Sequence, residues 1–246
     1  MTTTTQVTMT QTATSGPGFV LASLLAAYPD NAFSENVRVL LDDMVLRSLG
    51  SDALNETLAE LRAKVYPILG SDDALDDVRS EYIDLFDRGR QINTLYETEY
   101  GRERTLVKAT ELVDIAAFYR AFGFETGGDG VQAEMIDHVS VELEFYALLV
   151  LKSDLLSDAG DAEGESIVLD ARRKFLKSHL GRFVGAICER PGVSESPYFS
   201  SVFKFCRDLT LSECERLGVT VEPETWISTK AETGDISCGG SVGCVK

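Results

Sequence analysis

Histidine is almost absent: His138 and His179 are the only two in 246 residues. That scarcity leaves little for acid–base catalysis or imidazole-based metal binding. No Gly-x-Ser-x-Gly elbow, no His-Glu-x-x-His pair and no paired Cys-x-x-Cys accompanies them. The glycines Gly127, Gly128 and Gly130 lack the Lys-Ser/Thr that a phosphate-cradling loop needs, so they read as a hinge or turn. Positive charge is also scarce, with 23 Lys and Arg against 40 Asp and Glu and a formal net charge of −17 at pH 7. Such a surface repels phosphate backbones and anionic lipid, which argues against nucleic-acid and membrane-surface binding. It attracts a basic partner and speeds that encounter, or it simply keeps the chain soluble.

Long apolar runs are missing too. The apolar stretch FVLASLLAAY from Phe19 falls short of the roughly 18 residues a membrane span requires. The Thr-rich segment before it lacks the basic start of a secretory signal. The five cysteines are an odd, scattered set, which is no disulfide framework and fits a reducing, cytoplasmic compartment. Cys238 and Cys244 sit in a Gly/Ser-rich stretch and read as free thiols in a tail, with a metal or redox role as the open alternative. No catalytic residue, metal site or cofactor is expected elsewhere.

What is present is helical periodicity. Residues 1–18 read as a flexible tail, 19–218 as one helical domain, and 219–246 as a polar, Gly- and Cys-containing tail. Leu54, Leu58, Leu61 and Val65 form one stripe, with Pro67 expected to end or kink that helix. Leu75, Val78, Tyr82, Leu85 and Phe86 form another, and Leu106, Val113, Ala116 and Ala117 are expected inward on a third. Ser196 is placed to cap a last helix that has Pro197 at its start, where the missing N–H has no partner to lose. No alternating strand pattern and no repeat stands out. The expectation is an all-α single globular bundle of seven or eight helices. Residues 87–102 interrupt the periodicity and read as a long polar loop, a feature that is often functional in a compact domain.

The strongest apolar run, Glu134 to Lys152, opens on Asp137-His138 and carries Glu142 and Glu144 into its first turns. Asp137 is expected to cap the helix and favour its dipole, with His138 beside it on the exposed end. Glu142 and Glu144, two positions apart, face different ways, so at least one meets solvent or a pocket. A capped core helix and a binding surface are both open readings here.

The order of several short motifs resembles the TorD/DmsD-like redox-enzyme maturation chaperones, a family with NarJ-type relatives. Tyr82, Leu85 and Phe86 match its aromatic-x-x-Leu-Phe element, and Tyr96, Glu97, Glu99 and Glu103 resemble its aromatic-then-acidic loop. Tyr119, Gly123 and Phe124 match Tyr-x-x-x-Gly-Phe. Ile136, Asp137, His138, Val139, Glu142, Leu143 and Phe145 resemble Pro-Asp-His-Leu-x-x-Glu-Leu-x-Phe, with Ile136 replacing the proline. His179, Leu180 and Phe183 resemble a later His-Leu element.

The resemblance implies an all-helical, non-enzymatic chaperone in the cytoplasm. It would bind the catalytic subunit of a DMSO-reductase-type molybdopterin oxidoreductase, and its twin-arginine signal peptide, aiding cofactor insertion and delaying export. A basic-then-apolar peptide needs acids beside an apolar groove. Asp87, Glu97, Glu99, Glu103, Asp137 and Glu142 are the candidate acids, His138 stands beside them, and Tyr82, Leu85, Phe86 and Tyr96 are the candidate groove. The alternatives are a permanently associated accessory subunit and a small enzyme with an unrecognised helical site. The chain is expected as a monomer or a helix-swapped dimer. Replacing both Asp137 and His138 with alanine is expected to weaken client binding while sparing the fold.

Overall fold

The structure, a computed structural model, describes residues 15–42, 51–90, 92–101, 104–126 and 134–225. Ten α-helices run through them: α1 Gly16–Ala26, α2 Phe33–Asp42, α3 Asp52–Leu69, α4 Asp72–Tyr82, α5 Arg104–Phe122, α6 Val139–Asp158, α7 Ala162–Ser178, α8 Leu180–Cys188, α9 Pro191–Glu195 and α10 Phe199–Leu217. No strand occurs among the described residues. The helix count exceeds the expected seven or eight partly because two segments are short. His179 leaves the helical region (φ −128°, ψ −103°) and divides α7 from α8, and Pro191 opens the five-residue α9.

Local chemistry sets the helix ends. Ser51 and Ser71 accept hydrogen bonds from the N–H groups of Leu54 and Ala74, and Asp161 accepts one from Gly164. Ser196 Oγ accepts from Phe199 N at 2.9 Å and so satisfies the first N–H of α10, although that helix opens at Phe199 and not at Pro197 as the sequence suggested. At the other end of α10, Gly218 takes φ +65°, the left-handed conformation that glycine reaches without a Cβ clash. Three expectations fail locally. The first helix begins at Gly16, inside the stretch read as tail. Pro67 lies inside α3, which runs two residues past it to Leu69 before Gly70 closes the helix. Val113 is 69% exposed, and Ile115 and Tyr119 take the inward positions of α5 instead.

The core is built around α1 and α6. Phe19, Leu21, Ala22, Leu25 and Ala26 of α1 are fully buried, and α1 packs against α6, α10 and α2. α6 is apolar nearly all round (Val139, Leu143, Phe145, Tyr146, Leu149, Val150), the signature of an enclosed helix rather than a surface one. Each large aromatic so enclosed contributes about 1.5–3 kcal/mol of burial. A polar tie crosses this core. Glu213 of α10 accepts from Arg172 of α7, from Tyr146 of α6 at 2.7 Å and from Ser15 before α1 at 3.1 Å.

The described residues between 87 and 101 are not a structureless loop. α4 runs directly into a π-helical turn, Ile83–Arg88, and a 3-10 turn covers Glu97–Glu99. Between and within these turns and just after them, Asn93, Thr94, Leu95, Glu97, Thr98 and Tyr100 are buried. The polar side chains that hid this segment from a periodicity reading satisfy backbone groups. Asn93 Oδ1 accepts from Gly192 N at 3.2 Å, and Tyr100 donates to Thr94 O at 2.7 Å.

Candidate functional site

A cleft of about 800 Å³ opens between α1, the α4–π turn, the 94–97 segment and the start of α6. Its walls are Leu24, Ala27, Tyr28, Tyr82, Phe86, Leu95, Tyr96 and Val141, and Asp30, Asp87, Glu134 and Glu144 supply carboxylates. Tyr82 and Phe86 fall one turn apart, and their rings meet at 5.1 Å with Phe199 behind both. Tyr28 closes on Tyr82 edge-on at 5.5 Å. The π-helical turn begins one residue after Tyr82, a local distortion of the kind frequently found at functional sites.

The Asp137-His138 corner lies beneath one wall of this cleft. Tyr96 and His138 pair as an isolated antiparallel bridge, with Glu97 N donating to Asp137 O at 2.9 Å and Val139 N to Leu95 O at 2.8 Å. The helix cap is His138 rather than Asp137. Its Nδ1 accepts from Ser140 N at 3.2 Å, while Asp137 turns inward and accepts from Thr98 Oγ1 at 2.5 Å. The expectation that His138 stands on an exposed end is therefore corrected: it is 1% exposed, held between Tyr96 and Tyr82. Burial pushes its pKa down to about 3, and the ring is neutral at ordinary pH.

Below the corner lies a layer of titratable groups. His179 Nδ1 meets Glu97 Oε2 at 3.1 Å, and its Nε2 meets Asp114 Oδ2 at 3.0 Å. Burial works against protonating His179, but the two carboxylates outweigh it and raise its pKa. Glu142 is fully buried, and neither of its oxygens has a well-formed hydrogen bond among the described residues. Burial first, and then the charge of Glu97 across from it, push its carboxyl well above the usual range. Beyond it, the Glu111 carboxyl is also pushed up, by burial and by Glu97.

Most of the residues singled out in the sequence thus separate into two groups. Tyr82, Phe86, Asp87, Tyr96 and His138 line the cleft. Glu97, Asp137 and Glu142 sit in the buried layer and do not reach it. Leu85 points elsewhere, its Cδ2 lying 2.6 Å from where a Cβ on Gly192 would fall, and it does not line the cleft. Glu99 is engaged by Lys108 at 2.6 Å, and Glu103 lies outside the described residues. Cys238 and Cys244 lie outside them as well. The sequence reading missed Tyr28, Asp30 and Glu134 on the rim, the exposed Asp114 that meets His179 from outside the buried layer, and the half-buried Glu111 beside it. Glu144 had its signal, since it stands two residues from the inward Glu142 and must face away from it. Tyr28 and Asp30 had none, since they fall at the end of α1, far along the chain from the other lining residues.

Among the described residues no cluster of three or more His, Cys, Asp or Glu is arranged to hold a metal ion, and no helix is long and apolar enough to cross a membrane. The features together define a class: an all-helical body that presents an aromatic, acid-rimmed cleft beside a buried polar layer. The family model of the nitrate reductase delta subunit matches residues 49–189, more than half of the chain, and the protein belongs to that family of molybdoenzyme maturation chaperones. No curated protein matches the sequence.

Proposed function

We propose that the protein is a cytoplasmic assembly chaperone whose cleft receives the basic-then-apolar N-terminal segment of a catalytic subunit. That subunit belongs to a nitrate-reductase-type molybdopterin oxidoreductase. Holding the segment keeps the subunit open for cofactor insertion and delays its export. The observation that carries the reading is charge and shape at one place. Asp30, Asp87, Glu134 and Glu144 border a cavity walled by Tyr28, Tyr82, Phe86 and Tyr96. Arginines of a guest find carboxylates at the rim and its leucines find aromatic walls, with no bond made or broken. The overall charge of −17 favours the approach of a basic segment.

The family's description as a subunit favours a second reading, a permanently associated accessory subunit. One experiment separates the two. A tagged copy is recovered from native extract, and its large partner is identified and assayed for bound molybdopterin. A cofactor-free catalytic subunit supports the chaperone, and a mature, cofactor-loaded enzyme supports the accessory subunit. Recovery of no molybdoenzyme rejects both.

A further inference from the structure

Tyr82 and His138 contain an asymmetry that the cleft reading leaves unused. Ser140 N donates to His138 Nδ1 at 3.2 Å, and Ser140 Oγ lies 2.7 Å from the same nitrogen. A nitrogen that accepts a backbone N–H carries no hydrogen, so the neutral ring bears its proton on Nε2. Nε2 lies 3.4 Å from the Tyr82 hydroxyl, a long contact in which the imidazole is the donor. The phenol oxygen is the acceptor, so its own hydrogen is turned away from the imidazole. Tyr82 has no other hydrogen-bond partner among the described residues, and the rings of Tyr28, Phe86 and Phe199 hold its plane in place. Both Tyr82 and His138 line the cleft.

We propose that Tyr82 is the residue that touches the guest, donating its hydroxyl hydrogen to a backbone carbonyl of the bound peptide, and that His138 is a positioning residue which fixes the direction of that hydrogen. The inference rests on the reading of the cleft as a peptide receptor and deepens it. It has a chemical reason. The rim carboxylates serve the guest's cationic side chains but repel its carbonyl oxygens, which need a donor from the wall. A fixed donor inside a largely apolar pocket is stronger than one in water, and a carbonyl left unpaired there is costly. Recognition of main chain also suits a partner whose apolar segment varies in side-chain order.

The test uses the full chain and a synthetic peptide carrying an Arg-Arg pair followed by a leucine-rich stretch, titrated by calorimetry. Tyr82→Phe keeps the aromatic wall and should weaken binding about ten-fold, the cost of one buried hydrogen bond. His138→Asn keeps an acceptor to cap Ser140 but is too short to reach Tyr82, and should weaken binding by a similar factor. The double variant should bind no worse than the weaker single, because both remove the same interaction. His138→Gln, long enough to present an amide N–H to Tyr82, should recover most of the loss.

Should His138→Asn fail to fold, 3-fluorotyrosine placed at position 82 supplies the second measurement. Its more acidic phenol donates better and should tighten binding, whereas loosened binding would make Tyr82 an acceptor and overturn the proposal. Additive losses in the double variant, or full affinity in Tyr82→Phe, overturn the relay while leaving the receptor reading intact. A wild-type chain that ignores the peptide sinks the receptor reading, and the relay falls with it.

Discussion

Tyr96 and His138 face each other across an isolated antiparallel bridge, their rings meeting edge to face at 5.1 Å. This one pairing joins the polar 92–101 segment to the start of α6. Successive side chains of an extended segment point opposite ways. Tyr96 accordingly faces the cleft, where it donates to Glu134 at 3.2 Å beneath the Arg90 guanidinium, and Glu97 enters the buried layer beside His179. The cleft and the titratable layer are thus two sides of one short stretch of backbone, and a change in either is felt by the other.

The buried setting of the Asp137-His138 corner reverses the expectation that both can be removed without harm to the fold. Asp137→Ala leaves Thr98 without its 2.5 Å acceptor, and His138→Ala removes the cap of α6 and opens a void between Tyr82 and Tyr96. Lost cap, lost hydrogen bond and cavity together should cost roughly 3–5 kcal/mol. In a chain of this size that lowers Tm by about 10 °C. Thermal unfolding followed by circular dichroism checks this, and an unchanged Tm would show that the corner is loosely held. Loss of binding in that double variant therefore reports lost fold as well as lost contact.

How far the molecule was legible in its sequence depends on the kind of signal. Helical stripes such as Leu54, Leu58, Leu61 and Val65 repeat at the spacing the helix imposes, so the all-α class followed directly from them. The 92–101 segment was opaque because its order comes from side chains bonding backbone far away. Asn93 meets Gly192, and Arg190 Nε donates to Ile92 O at 2.8 Å, contacts that no local pattern announces. Asp137 was misplaced by one residue for a related reason. An Asp before a helix usually caps it, but here Thr98 claims its carboxylate from across the bridge, and His138 takes the cap. Glu97 and Glu142 carried the right motif and the wrong location, since a motif gives residue type and order but not depth. Their burial follows from His179 and α5 closing over them.

The rim acids should act mainly on the rate of encounter. Asp30, Asp87, Glu134 and Glu144 border the cleft, and screening shortens the reach of such charges from about 8 Å at physiological ionic strength to about 3 Å at molar salt. Association of the Arg-Arg peptide should slow steeply as salt rises, while dissociation changes little. Asp87→Asn should flatten that dependence without altering Tm, because Asp87 is exposed. Stopped-flow association measured across salt concentrations checks the claim. A salt-independent rate would remove charge from the recognition.

The Glu213 tie across the core should be costly to break from one side. Burial opposes its charge, but Arg216 and Arg172 outweigh that and hold its pKa below the usual range. Its stabilising contribution is therefore present above the unfolded carboxyl pKa and is lost as pH falls through the folded one. Glu213→Gln leaves the 2%-exposed Arg172 without its counter-charge and should cost about 3–5 kcal/mol. Replacing Arg172 and Glu213 together with apolar residues of similar volume should recover much of that loss. Urea unfolding of the single and double variants measures both, and equal destabilisation in the two would show that the charge pairing is not what matters there.

Glu142 offers the sharpest pH signature. Its folded pKa is raised, chiefly by burial and next by the charge of Glu97, so the folded state holds a proton that the unfolded chain releases near pH 4.5. A raised carboxyl pKa contributes stability that is fully present below the unfolded value and is lost as pH rises through the folded one. Between those two values the loss runs at about 1.4 kcal/mol for each step of one in pH. His138 acts in the opposite sense. Its pKa is lowered to about 3, so its contribution is present above 6.5 and is lost as pH falls. Subtracting two curves isolates Glu142, since Glu142→Gln keeps His138 and closely mimics the protonated side chain. The variant should match the wild type near the unfolded value of 4.5 and exceed its Tm increasingly as pH rises above it. Thermal melts across that range decide it. A constant offset would mean that Glu142 does not titrate there, and a variant that loses stability with rising pH would mean that its charge is held by a cation at that depth.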